Sequence, residues 1–283
     1  MRGVWDNCYI KKDEDKKRVI QTVRNVPLKS VDSLDRDVIA LGTDYLPNTL
    51  LETHQHRRAQ FLYPATGLIE VSTDEGEWVI PPSCGVWIPP ETGHETRMLE
   101  VSTRSLYIEP SAAPRDSKQC EVVSVSPLFR QLLLEAVDVP AEYDKKGRDG
   151  LLMQLILCEL GKAKPLPFFA PIPQDSKLAK LCRDFIRHPK IDSLPQQWAD
   201  KLHKSERSFS RFFRQQTGMS FSQWRQQVCL LNSLTQILSG RGITDIAFDL
   251  GYNSAGSFST MFKKQMGQSP SHFSMDALDI DRF

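Results

Sequence analysis

Four prolines fall within nine residues of the chain, at Pro165, Pro167, Pro171 and Pro173. Each fixes φ near about −65° and removes an amide donor, so a segment this rich in proline belongs neither inside a helix nor in a central strand. The stretch 162–174, KAKPLPFFAPIPQ, therefore predicts a stiff, extended linker between two regions that each need a core. The hydrophobic pattern changes across it. From about residue 35 to 110 short apolar runs alternate with turns: VIALG, AQFLY, GLIEVST, EWVI, VWIPP and RSLYIEP, with DEG at 74–76 as a hairpin signal. Such even spacing fits a sandwich or small barrel. Two segments of helical period follow, 127–138 and 149–162, which can pair as a helical hairpin. Beyond the prolines the chain reads as helices with short turns, at 178–188, 194–202, 206–216, 222–239, 243–250, 255–266 and 271–278. The expected fold class is α+β in two domains. A poorly ordered arm (1–32) precedes a β-barrel domain with a helical pair (33–161), the linker (162–174) and an all-α domain (175–278).

Composition removes several function classes. A chain of 283 residues with 40 % hydrophobic and 25 % charged residues has the balance of a globular protein and not of a disordered one. No apolar run approaches the roughly 20 residues that span a bilayer. The N-terminus carries KKDEDKKR at 11–18 where a secretory signal would place its apolar stretch, so a cytoplasmic location is expected. The six cysteines show no CxxC or other metal-knuckle spacing and read as reduced thiols. GxSxG, HExxH, P-loop and dinucleotide-binding patterns are absent from the sequence, so no enzyme and no cofactor is expected.

The net charge of +1 conceals an asymmetry. Residues 175–283 hold 15 Lys and Arg against 10 Asp and Glu, whereas 1–174 hold 21 against 25. Without the acidic tail after Met275 the balance of the back half is 14 against 7, the kind of footprint that attracts a phosphate backbone.

Within that basic half one pattern occurs twice, in LPQQWADKLHKSERSFSRFFRQQTG (194–218) and in GITDIAFDLGYNSAGSFSTMFKKQMG (242–267). A short helix carries Ala, a turn residue follows four positions on (Ala199 to His203, Ala247 to Gly251), and a new helix opens at Ser205 or Ser254. That helix places Phe at i and i+4 (Phe209 and Phe213, Phe258 and Phe262), leaving a polar face with Arg207, Arg211 and Arg214, or Lys263 and Lys264. The small Ala lets two helices cross closely and the second helix is free to enter a major groove. Two helix-turn-helix units joined by one long helix are a strong signal for double-stranded DNA as partner.

The run IxxIAxxLGYxSxxxFxxxFKxxxGxSPxxF, from Ile243 to Phe273, resembles the signature of the AraC family of bacterial transcription regulators. Within that family the chain looks most like members with an HxHRRAQ strand, some of which resemble repressors of drug-efflux transporters. The resemblance implies roles by position. Arg207, Ser208 and Arg211 are the candidates for base edges in the first unit, with Ser205 opening the helix and Lys204 and Arg214 placed for phosphate. In the second unit Ser254, Ala255, Ser257 and Thr260 occupy the exposed face and Lys263 and Lys264 meet the backbone. The chain departs from the commonest family pattern at Thr260 (often Arg), His203 (usually Gly), Cys229 (usually Arg) and the flexible Gly256. These departures weaken base reading by the second unit, so the first is expected to supply most sequence discrimination.

The front half is marked by His54, His56 and His94. HxH on one strand projects both imidazoles to the same side, and a third His after the PPETGH turn can join them. The spacing resembles the cupin pattern, with Gln60 where a metal-binding cupin carries Glu. Three His and a Gln form a poorer metal set than three His and a Glu, so ligand contact is the favoured role for the histidines and metal the lesser candidate. His54, His56, Arg58, Gln60, Trp87 and His94 are the expected lining of a small-molecule effector pocket, with Arg57, Trp78 and Glu91 nearby. The apolar stripe of the two helical segments predicts a homodimer. The function expected is a ligand-responsive, sequence-specific regulator, with an adjacent transporter gene as one candidate target and RNA polymerase as a partner for an activator. The alternative is a metal-dependent cupin enzyme fused to a helical module, which Gln60 argues against.

Overall fold

The structure, a computed structural model, describes residues 28–273 apart from 47, 82 and 100. Among the described residues ten strands form two five-stranded antiparallel sheets. One sheet has the order β1 (Val38–Asp44), β8 (Ser102–Ile108), β3 (Ala59–Pro64), β6 (Cys84–Ile88), β9 (Glu121–Ser124). The other runs β10 (Phe169–Pro171), β5 (Gly76–Ile80), β4 (Leu68–Ser72), β7 (His94–Leu99), β2 (Thr49–His54). Strand alternation sorts the side chains. Leu62, Val86 and Ile88 of the first sheet share a core with Ile69, Val71, Ile80 and Met98 of the second. Phe61, Trp87 and Leu106 point the other way, into a layer made by α1 (Pro127–Ala136) and α2 (Arg148–Lys162). There Phe61 stacks on Phe129 with ring centroids 5.3 Å apart.

The proline-rich segment is not a free tether. Ser124 N donates to Lys164 O and Leu166 N to Val122 O at the edge of the first sheet, and Ile172 N donates to Glu75 O at the edge of the second. Between them β10 pairs with β5 over Phe169–Pro171. Leu166, Phe168, Ala170 and Ile172 are buried, and the prolines occupy odd positions between and beside them. An edge strand turns every second amide away from its neighbour, and a proline there forfeits no ladder bond. Gly76 permits the close approach, since a Cβ at that position would lie 2.1 Å from the Phe169 ring and 2.8 Å from the Ala170 carbonyl oxygen.

The expected arm also changes. Residues 28–32 form a 3₁₀ turn at Leu28–Ser30 followed by the buried Val31, so the arm's last residues belong to the barrel domain. The rest of it, 1–27, lies outside the described residues, as do 274–283, which held most of the helix expected at 271–278. What is described there is a single 3₁₀ turn, Pro270–His272.

The back half is helical: α3 (Ser176–Arg187), α4 (Pro195–Lys201), α5 (Glu206–Thr217), α6 (Phe221–Leu238), α7 (Ile243–Asp249) and α8 (Ala255–Met266). Trp198, Phe209, Phe213, Phe221 and Trp224 cluster at one end of α6, with Trp198 and Phe221 centroids 4.8 Å apart. Ile246, Ala247, Phe258 and Phe262 fill the second unit. The two domains share one continuous core. Helix α6 lies along the proline-rich strap, where Trp224 Nε1 donates to Pro171 O at 2.8 Å and the Gln227 amide donates to Pro167 O. Its far end reaches the second sheet through Thr235 Oγ1, which donates to Glu70 at 3.2 Å.

Candidate DNA interface and effector site

The two helix-turn-helix units repeat the same backbone connections. Lys204 N donates to Ala199 O and Tyr252 N to Ala247 O, each at 2.9 Å. His203 and Gly251 occupy the same left-handed turn position, with φ of 53° and 79°. Ala199 and Ala247 are fully buried where the helices cross. Ser205 caps α5 by accepting from Ser208 N at 3.3 Å, and Ser254 caps α8 by accepting from Ser257 N at 3.1 Å. Both helices end at a left-handed glycine, Gly218 or Gly267.

The exposed faces differ in chemistry. On α5 the side chains of Arg207, Ser208, Arg211 and Arg214 are exposed together. Lys204 stands at the start of this face with its ammonium 4.5 Å from the Phe212 ring centre. On α8 Ser257 and Thr260 line the outward face beside the half-buried Ala255. Their hydroxyls turn back on the helix, Ser257 Oγ donating to Ser254 O and Thr260 Oγ1 to Gly256 O at 2.8 and 2.9 Å. Lys263 and Lys264 occupy the last turn of α8 and are exposed. Three guanidiniums thus face solvent on α5, against short hydroxyls already engaged on α8.

The barrel brings the three histidines together. His54, the last residue of β2, pairs in register with His94, the first of β7, across an irregularity in the ladder. His56 follows two residues on, and the three ring centroids are 4.4 to 5.3 Å apart. His54 Nδ1 bonds Glu52 O and His94 Nδ1 bonds Thr92 O, both at 2.8 Å. Burial pushes His56 and His94 down to about 4, helped by the neighbouring imidazoles, so both are neutral near pH 7. Gln60 joins from the opposite sheet, its amide donating to Ser105 Oγ at 3.3 Å and Tyr107 Oη at 3.2 Å, while the Tyr107 ring meets His56 edge-on at 5.3 Å. Ser105 and Tyr107 were missed in the sequence, although strand alternation within RSLYIEP puts both on the Gln60 face.

Two residues expected in the pocket are elsewhere. Arg58 is fully buried as a clamp: it pairs with Asp32 at 3.0 Å and Glu109 at 2.8 Å and donates to the carbonyls of Arg36 and Leu34. Its hydrogen-bonding capacity is spent on fastening residues 32–36 to the barrel. Trp87 is one residue out of phase with the interior and packs in the α1–α2 layer. His54, His56, Gln60 and His94 are the part of the predicted set that the fold assembles.

A concavity of about 720 Å³ lies between the second sheet and helices α3 and α6. Glu70, Glu77, Arg97, Arg183, Arg187 and Thr235 are among its lining residues. Burial raises the Glu70 carboxyl and pushes Glu77 up to about 7, with Glu70 and Glu95 adding like charge to the latter. No local motif marks this cleft, because its walls come from strands near residue 75 and helices beyond residue 180.

A capped, duplicated helix-turn-helix fused to a domain of two five-stranded sheets has the architecture of a transcription regulator, and comparison with known proteins agrees. Residues 38–160 match the AraC-like ligand binding domain and residues 198–275 a helix-turn-helix domain. The HTH-type transcriptional regulator NimR of Escherichia coli K12 is 31 % identical over 236 residues, which cover 83 % of this chain and 85 % of that protein. The transcriptional activator RhaR of Yersinia pseudotuberculosis is 38 % identical over 76 residues, 25 % of this chain and 26 % of its own. Among solved structures, ToxT of Vibrio cholerae covers 83 % of this chain and 96 % of its own at 14 % identity and a TM-score of 0.35. The DNA-binding domain of AdpA in complex with a target DNA covers 34 % of this chain and 86 % of its own, at 25 % identity and a TM-score of 0.32. The chain belongs to the AraC family of transcription regulators.

Proposed function

We propose that this regulator is ligand-responsive and sequence-specific, reading its operator mainly through α5 and sensing an effector in the barrel. The observation that carries the reading is the contrast between the recognition helices. Arg207 and Arg211 are long donors suited to guanine edges, Lys204 and Arg214 flank them toward phosphate, and Ser205 shapes the helix start. Ser254, Ala255, Ser257 and Thr260 add shorter contacts in the second groove, with Lys263 and Lys264 on the backbone. His54, His56, Gln60 and His94 form the effector site.

The regulator acts as a homodimer through the α1–α2 face, where Leu128, Leu151 and Leu155 are exposed by 52, 62 and 41 %. It works in the cytoplasm and catalyses no reaction. Among the described residues no helix is long and apolar enough to cross a membrane. The likeness of the HxHRRAQ strand to efflux-repressor sequences makes repression of a neighbouring transporter gene the first target to examine. The test is recovery and sequencing of sheared genomic DNA retained by the purified protein at near-physiological salt. Enrichment of a few intergenic sites with paired half-sites is expected, and their position relative to the promoter separates repression from activation through RNA polymerase. Uniform, salt-labile retention would refute sequence-specific reading.

A further inference from the structure

The outer face of the second sheet, across the cleft from α3 and α6, carries its charge in two rows. Strand pairing puts Glu77, Ser72 and Glu95 side by side on β5, β4 and β7, and Val79, Glu70 and Arg97 in the next row on the same face. The second row is balanced: Arg97 lies 3.6 Å from Glu70, which also accepts from Thr235 of α6. The other guanidiniums at the cleft are answered as well, Arg183 by Asp74 at 3.8 Å and Arg187 by Asp184 at 3.4 Å. The first row is not balanced. Glu77 receives a hydrogen bond from the Ser72 hydroxyl, and among the described residues no ion pair reaches Glu77 or Glu95. The volume of about 720 Å³ is that of a small-molecule site, and Val79, Ile186, Val228 and Leu231 give the cleft an apolar lining beside its acids.

We propose that this cleft is a ligand site of its own, separate from the barrel histidines, and that it takes an organic cation: an ammonium or amidinium held between Glu77 and Glu95, on an apolar body that packs against Ile186, Val228 and Leu231. An anion of the same size would meet Glu70, Asp74, Glu77 and Glu95 with every arginine of the cleft already paired. A cation beside Glu77 also displaces a proton, because burial pushes that carboxyl up to about 7. The other charged groups facing it are Glu70 on β4, Glu95 and Arg97 on β7, Asp74 in the turn after β4, and Arg183 and Arg187 on α3, while α6 lines the cleft with neutral side chains alone. Protonation of Glu77 therefore competes with the cation, and affinity rises with pH until it levels off above about 7. A molecule seated here touches β5 and β7 on one side and α3 and α6 on the other. It thus bears on the helix that joins the two DNA-reading units, a consequence that rests on the regulator reading given above.

The test uses the full chain and dansylcadaverine, a primary ammonium on an apolar fluorescent body, with dansyl-ε-aminocaproate as the size-matched anion. Saturable binding of one cation per chain is expected, at least about 10-fold tighter than the anion, the least that an opposite charge beside a carboxylate is worth. Glu77→Gln and Glu95→Gln should each weaken the cation by about 5-fold or more, and Glu77→Gln should abolish the rise in affinity between about pH 5.5 and pH 7.5. No saturation by about 1 mM probe, no preference for the cation, or binding unchanged in both variants would overturn the site. Loss of binding in Gln60→Leu with both glutamate variants unaffected would place the probe in the barrel and overturn it equally. Operator affinity is then measured with and without the cation. A change of about 5-fold or more that Glu77→Gln removes is expected, and saturable binding without such a change would overturn the regulatory consequence. Saturable binding with no sequence-selective DNA binding in either state would refute the regulator reading and leave the cation site standing.

Discussion

Glu77 lies at the seam between the barrel and the DNA-binding domain, and its carboxyl is pushed up to about 7. Burial is the largest cause, the charges of Glu70 and Glu95 add to it, and the hydrogen bond from Ser72 and the charge of Arg183 oppose it. A carboxyl that holds its proton more tightly folded than unfolded favours the fold while protonated, and that advantage is lost as pH rises through about 7. Starting from the unperturbed value of 4.5, ionisation of Glu77 costs the folded state about 1 kcal/mol at pH 5.5 and about 3 kcal/mol at pH 8. Glu77→Gln removes the charge and keeps an acceptor for Ser72. The variant should therefore gain about 2 kcal/mol relative to the parent on going from pH 5.5 to pH 8, read as the change in urea midpoint at constant slope. The comparison has to be a difference between the two proteins. His56 and His94, pushed down to about 4, lower parental stability as pH falls from about 6.5 toward 4, and that opposite trend cancels in the subtraction. An equal effect of the substitution at both pH values would refute the assignment of the cost to Glu77 ionisation.

Arg207→Ala should cut the preference for the selected operator over a scrambled one by about 1–3 kcal/mol, and Thr260→Ala by less; competition binding at fixed salt gives the order, and the reverse order would sink the dominance of α5. His203→Gly should raise the thermal midpoint, because a non-glycine side chain at φ 53° costs about 1 kcal/mol, and a lowered midpoint would show that the imidazole makes up for the strain. Phe168→Ala should cost about 3–5 kcal/mol and split the melt into two transitions, since the ring holds the strap between barrel and helices; one transition with little loss speaks against that role. Arg58→Ala should destabilise the chain by about 3 kcal/mol in urea unfolding, because it removes the buried guanidinium that Asp32 and Glu109 share, and a loss under about 1 kcal/mol would speak against the clamp.

The helical half was legible almost to the residue, because its signals are local. Ser205 and Ser254 cap, Gly218, Gly251 and Gly267 turn, and Phe pairs at i and i+4 mark the buried stripe. In the barrel the strongly apolar strands were legible, while β2, β7 and β9 were not, because TLLETH and HETRML mix charge with apolar residues and expose part of their length, and EVVS is only four residues long. The histidine cluster was foreseen from period two, yet His56 reaches it past the end of β2 and across a ladder irregularity. Arg58 and Trp87 were misplaced for different reasons. The partners of Arg58, Asp32 and Glu109, are distant in sequence, and Trp87 fell on the outer face by a single position of register. The prolines misled most. They exclude a central strand, and the segment became an edge strand in which only alternate amides are needed.

That strap decides where the gene can be cut. A chimera that exchanges sensors between relatives by joining them at residue 161 would leave β5 without its neighbour and strip Leu166, Phe168, Ala170 and Ile172 from the donor barrel. The usable junction is the short stretch between Ile172 and Asp175, the cap of α3, so a transplanted sensor must carry all four prolines or stop one residue short of the last.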